Sequence, residues 1–81
     1  MNKQDLTNKL KEIISDKTGI EINEVTNDSH LKDDLGADSL DSIEIVMEAE
    51  KQFNIAVPDE YYDEVKTVSE AVEYILKIIN K

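Results

Sequence analysis

An all-α fold is predicted for these 81 residues: a small bundle of three long helices and one short helix, with a long first connection. Three observations lead there. Apolar residues recur at helical spacing in stretches covering residues 3–16, 39–52 and 67–79. Each stretch opens on a residue suited to capping: Asn2, Asp38 and Thr67. The length is near the lower range in which one hydrophobic core suffices, which predicts one domain over residues 1–81 and leaves no room for a large enzyme cleft.

The first helix is expected from Lys3 to Asp16, where Leu6, Leu10, Ile13 and Ile14 fall on one face. Asn2 is positioned to cap its start, Gly19 lies past its end, and Lys9 and Lys11 fall on the polar side. A connection of roughly twenty residues, Lys17 to Ala37, follows; loops that long need pinning to the core or a function. Ile20, Ile22, Val25, Leu31 and Leu35 are the expected pins, with a turn or two of helix around Glu21 to Val25. His30, the sole histidine, reads as a solvated loop side chain without a role.

The run Asp34-Leu35-Gly36-Ala37-Asp38-Ser39-Leu40-Asp41-Ser42-Ile43-Glu44-Ile45-Val46-Met47 holds the densest information. Gly36 can take backbone angles that other residues avoid, Asp38 caps, and Asp41 adds first-turn negative charge, so the helix begins at Ser39 and runs to about Gln52. Ser39 then stands in the first turn with its hydroxyl free of packing. Unpaired N–H groups and the positive end of the helix dipole meet there, which suits an anionic group esterified to that oxygen, such as a phosphodiester. Read alone, Ser39 is also an ordinary capping serine.

That helix has two apolar faces. At about 100° per residue, Ile45, Val46, Ala49 and Phe53 form a stripe toward the core, while Leu40, Ile43 and Met47 lie on the opposite side. Asp41, Glu44 and Glu48 run beside the second stripe, giving an apolar ridge with an acidic flank just below Ser39. Such a ridge reads as a docking surface, unless the chain wraps both faces or a dimer covers it.

Phe53 to Pro58 reads as an extended crossing, since Pro58 disfavours helix at Val57 and suits the first turn of the next element. In the short helix from Asp59 to Val65, Tyr62 and Val65 are expected toward the core and Tyr61 at the rim. Thr67-Val68-Ser69-Glu70 is a capping box, and Val68, Ala71, Val72, Ile75, Leu76, Ile78 and Ile79 carry the last helix to about Ile79.

Charge narrows the function. The net charge is −10, from 19 acids against nine Lys and no Arg. Residues 28–64 alone hold twelve acids and two Lys, which accounts for the whole excess. That field repels nucleic acid and steers a partner bearing a Lys/Arg patch, although acidity can also serve solubility alone. Without Cys there is neither a disulfide framework nor a thiolate metal site, which is compatible with a reducing cytosol. No apolar run is long enough for a membrane span or signal core, so a soluble cytoplasmic protein is expected.

A hydrolase built on Ser39 would need a base and an orienting acid; His30 is nine residues away in a loop, and Gly36-Ala37-Asp38-Ser39 is not a nucleophile elbow. The acids around Gly36 also fail as a calcium loop, because setting Gly36 at position six puts Leu31, Leu35 and Ser42 at ligand positions. No metal site is expected.

Gly36-Ala37-Asp38-Ser39-Leu40-Asp41, followed by Ile43-Glu44-Ile45-Val46-Met47, closely resembles the prosthetic-group site of acyl carrier proteins of dissociated, bacterial-type fatty acid synthesis. Val25-Thr26-Asn27, Ile55 to Glu60 with Pro58, and Thr67-Val68 fall where that family has them, so the resemblance covers essentially the whole chain. It implies a non-enzymatic, monomeric carrier with 4′-phosphopantetheine, taken from coenzyme A, on Ser39. It further implies acyl cargo held as a thioester, modification by a phosphopantetheinyl transferase, and fatty acid synthesis enzymes with basic patches docking on Asp38, Leu40, Asp41, Ile43, Glu44, Met47 and Glu48. A specialised polyketide or other secondary acyl carrier is the alternative. The chain departs from the family at Leu31, where an aromatic is usual, and at Tyr62, where a small residue is usual, so Tyr62 is expected to narrow the interior.

Overall fold

The computed structural model describes residues 2–80; Met1 and Lys81 lie outside the described residues. The first helix, α1, spans Lys3–Thr18. Asn2 caps it by accepting from the Asp5 N–H at 2.8 Å, and Gly19, in the left-handed region at φ 78°, ends it by donating to the Ser15 carbonyl. Leu6, Leu10, Ile13 and Ile14 are all buried, as their spacing requires. The helix outruns its expected end at Asp16 by two residues. Hydroxyls help there: Thr18 donates to the Ile14 carbonyl at 2.7 Å and Ser15 to the Ile20 carbonyl at 2.6 Å.

The long connection carries one 3-10 turn, Ile22–Glu24. Val25, Leu31 and Leu35 pin it to the core and Ile20 packs partly against it, but Ile22 is 42 % exposed and is not a pin. The turn is closed by the Val25 N–H on the Ile22 carbonyl, and it is Val25 that reaches the core. The rest of the connection is tied down by main chain. Leu31 N–H donates to the Lys66 carbonyl at 2.9 Å, Val68 N–H to Ser29 at 3.1 Å and Ser69 N–H to Asn27 at 2.9 Å, while His30 and Thr67 form a bridge. His30 is not merely solvated: half-buried, it accepts the Asp33 N–H on Nδ1 at 3.2 Å.

Helix α2, Ser39–Phe53, buries Ile45, Val46 and Ala49 against α1, with Phe53 partly buried at the core edge. Asn54 was expected in an extended crossing. It instead takes the left-handed conformation at φ 55° and ends α2 by donating to the Glu50 carbonyl, a role Asn fills because it tolerates that region. Pro58 then precedes the short α3, Glu60–Glu64, and its carbonyl accepts from Tyr61 N–H.

In α3 the two tyrosines exchange the places expected of them. Tyr61 is 3 % exposed while Tyr62 is half-exposed, because Tyr61 and Val65 stand at i and i+4 on the buried face. Tyr61 is further held by edge contacts with Tyr62 and with Tyr74, at centroid distances of 5.4 and 5.5 Å. It is therefore Tyr61, not Tyr62, that occupies the interior.

Helix α4, Val68–Ile79, begins with the full capping box: Thr67 accepts from Glu70 N–H and the Glu70 carboxylate accepts from Thr67 N–H. Its Val68, Ala71, Val72 and Ile75 complete a core against which α1 packs on one side and α3 on another. The result is an all-α bundle. No helix among the described residues is long and apolar enough to cross a membrane.

Candidate functional site

Ser39 is placed by the turn before it. Successive backbone bonds, Leu35 N–H to His30, Gly36 N–H to Lys32 and Ala37 N–H to Leu31, coil the chain between His30 and Ala37. Gly36 leaves that coil at φ 66°, which drops Ala37 into the core and puts Asp38 in extended backbone. Asp38 Oδ1 accepts the Asp41 N–H at 2.9 Å and its carbonyl accepts Ser42 N–H, so Ser39 is the first helical residue. Its side chain is exposed, and its hydroxyl makes no hydrogen bond among the described residues.

Asp38 occupies the Asp41 and Ser42 N–H groups, which leaves those of Ser39 and Leu40 pointing out of the helix start. They and the helix dipole favour an oxyanion on the Ser39 oxygen, and the carboxylate of Asp38 opposes it. No base is hydrogen-bonded to the hydroxyl among the described residues. Nor is there a group of three or more His, Asp or Glu fit to hold a metal ion among them.

Beside Ser39 lies an open cleft of about 800 Å³, whose wall combines Leu31, Ala37, Ile43, Ile45, Tyr61 and Val65 with the polar side chains of His30, Lys32, Asp33, Ser42 and Lys66. Burial pushes the Tyr61 phenol up, so it stays neutral. Sequence reasoning missed Tyr61 as a wall, because a five-residue helix does not fix its own face; the i, i+4 relation to Val65 was the available signal.

Along α2 the second apolar stripe is bare. Leu40 is 64 % exposed, Met47 61 % and Ile43 43 %. Glu44 is exposed and Asp41 half-exposed beside them, as the spacing predicts. Glu48 is differently placed. Its carboxylate accepts from Gln52 at 2.9 Å and lies 4.0 Å from Lys17 Nζ; the Gln52 bond first, then Lys51 and Lys17, lower its pKa. Lys17 and Lys51 thus border the lower end of the ridge with Met47, a basic contribution that the sequence did not make evident.

The fold is a helical bundle that offers a serine hydroxyl to solvent at the start of a helix. Residues 8–75 match the family described as phosphopantetheine attachment site, and the chain belongs to that family, whose members carry phosphopantetheine and do not catalyse. Acyl carrier proteins from two strains of Porphyromonas gingivalis are each 45 % identical over 69 residues, covering 85 % of this chain and 88 % of theirs. A solved structure of the acyl carrier protein from Enterococcus faecalis superimposes with a TM-score of 0.78 at 37 % identity, covering 96 % of this chain and 99 % of that one.

Proposed function

We propose that this chain is a single carrier domain over residues 1–81, that Ser39 is its attachment residue for 4′-phosphopantetheine, and that it delivers acyl groups to the enzymes of fatty acid synthesis. The observation that carries the assignment is the exposed first-turn hydroxyl of Ser39 beside a cleft with aliphatic side chains in its wall. When bound, the arm supplies a terminal thiol on which an acyl group rides as a thioester. The chain's own part is to hold the phosphodiester at the Ser39 and Leu40 N–H groups, and to offer the cleft to apolar cargo.

Docking falls to the bare face of α2. Leu40, Ile43 and Met47 supply the apolar contact; Asp38, Asp41, Glu44 and Glu48 supply charge for a basic patch on a phosphopantetheinyl transferase or a synthesis enzyme. The carrier works as a cytoplasmic monomer, with the ridge left free for successive partners.

Ser39→Ala tests the assignment. Incubated with a phosphopantetheinyl transferase and coenzyme A, the native chain gains one phosphopantetheine by intact mass, whereas the variant stays folded and gains nothing. Modification persisting in the variant moves the site to another residue.

A further inference from the structure

We propose that Tyr61 sets the length of acyl chain that the cleft beside Ser39 can enclose, an inference that rests on Ser39 carrying the arm. Ser39 and Ser42, in the first turn of α2, line the cleft together with Ile43, Ile45 and Val65. Alkyl cargo entering there leaves water for the aliphatic side chains of a wall that also carries His30, Lys32, Asp33 and Lys66, so each carbon set against the aliphatic part favours the bound arrangement. In this proposal the stop is the bulkiest buried side chain in that wall.

Tyr61 is that side chain, and it is braced. Its ring meets Tyr62 and Tyr74 edge-on, both at interplanar angles of 85°, and Tyr74 belongs to α4 rather than to the helix that carries Tyr61. Swinging the ring aside would break both contacts. The other apolar side chains in the wall, Leu31, Ala37, Ile43, Ile45 and Val65, are aliphatic and smaller. Tyr62 also lines the cleft but is less buried than Tyr61, and the brace from Tyr74 on α4 does not depend on it.

The test uses the full chain carrying its arm, loaded with a series from acetyl through octanoyl to hexadecanoyl. It reads thioester hydrolysis and amide exchange across α3. In the native protein, hydrolysis slows several-fold as the chain lengthens and then levels off at one length. Tyr61→Ala moves that levelling to longer chains, Tyr61→Trp moves it to shorter ones, and Tyr61→Phe and Tyr62→Ala leave it in place. Should Tyr61→Ala not fold, Tyr61→Leu replaces it and must show the same direction of shift. Folded Tyr61 variants that all level off at the native length overturn the proposal, as does a shift in Tyr62→Ala alone. A native chain that takes the arm but shows no dependence on length also overturns it and leaves the carrier function standing. A native chain that takes no arm overturns both.

Discussion

Gly36 sits in open space: a Cβ built there would touch nothing within 4 Å. Its constraint is torsional, since φ 66° belongs to the left-handed region that a side chain strains. Gly36→Ala should therefore cost about 1 kcal/mol in chemical denaturation, and Gly36→Asn less, because Asn tolerates that region. Equal stability of all three would show that the turn relaxes. That residue, Asp38 and Ser39 were all legible in the sequence, because a left-handed glycine followed by a capping acid and a helix start is a local statement. Tyr61 was not. Which tyrosine turns inward depends on Val65 and on Tyr74 in another helix, and helical spacing within five residues leaves that choice open.

At the scale of elements, α4 owes its start to two reciprocal bonds, and these give a pH signature. Glu70 accepts from the Lys66 and Thr67 N–H groups, which lower its pKa. A carboxylate held lower in the folded state contributes stability that is present above its unfolded value and fades as pH falls through the folded one. Glu70→Gln should thus melt earlier than the native chain at neutral pH, with the difference closing in acid below the ordinary carboxylate range; a gap independent of pH would contradict this. Thr67→Ala should cost about 1 kcal/mol at neutral pH, by loss of the cap.

For α2 the prediction concerns rates. Glu44→Lys should slow association with a basic partner several-fold at low salt, and Glu48→Lys should slow it less, since Lys17 and Gln52 already engage that carboxylate. Raised salt should bring native and variants together. Identical association rates at low salt would remove charge steering from the proposed docking face. The order and type of all four helices could be read from periodicity and caps, and their ends fell within two residues. What could not be read was how the twenty-residue connection is secured, because its partners are main-chain atoms some forty residues away in sequence.

Across the whole molecule, twelve acids crowd residues 28–64, within distances comparable to the screening length of about 10 Å at roughly 0.1 M salt. Total stability for a domain this size is about 5 to 10 kcal/mol, so repulsions of a few tenths each are a sizeable share of it. The melting temperature should rise with NaCl, and further with MgCl₂ at matched ionic strength. Indifference to both would remove repulsion as a limit on stability. Hydrogen exchange in dilute buffer should be faster in α3 and around α2 than in α4; the slowest exchange in α2 and α3 would separate the acidic half from any loosening.

The main-chain ties between residues 27–31 and 66–69 divide the labour of this chain in a way that matters over generations. Peptide groups are common to every amino acid except proline at the nitrogen, so the frame that holds one side of the cleft is indifferent to which side chains stand at Asp28, Lys32 or Lys66. Those exposed positions are free to change sign or size while the shelter behind them keeps its shape. A lineage can in this way repaint this side of the surface without disturbing the frame that holds it.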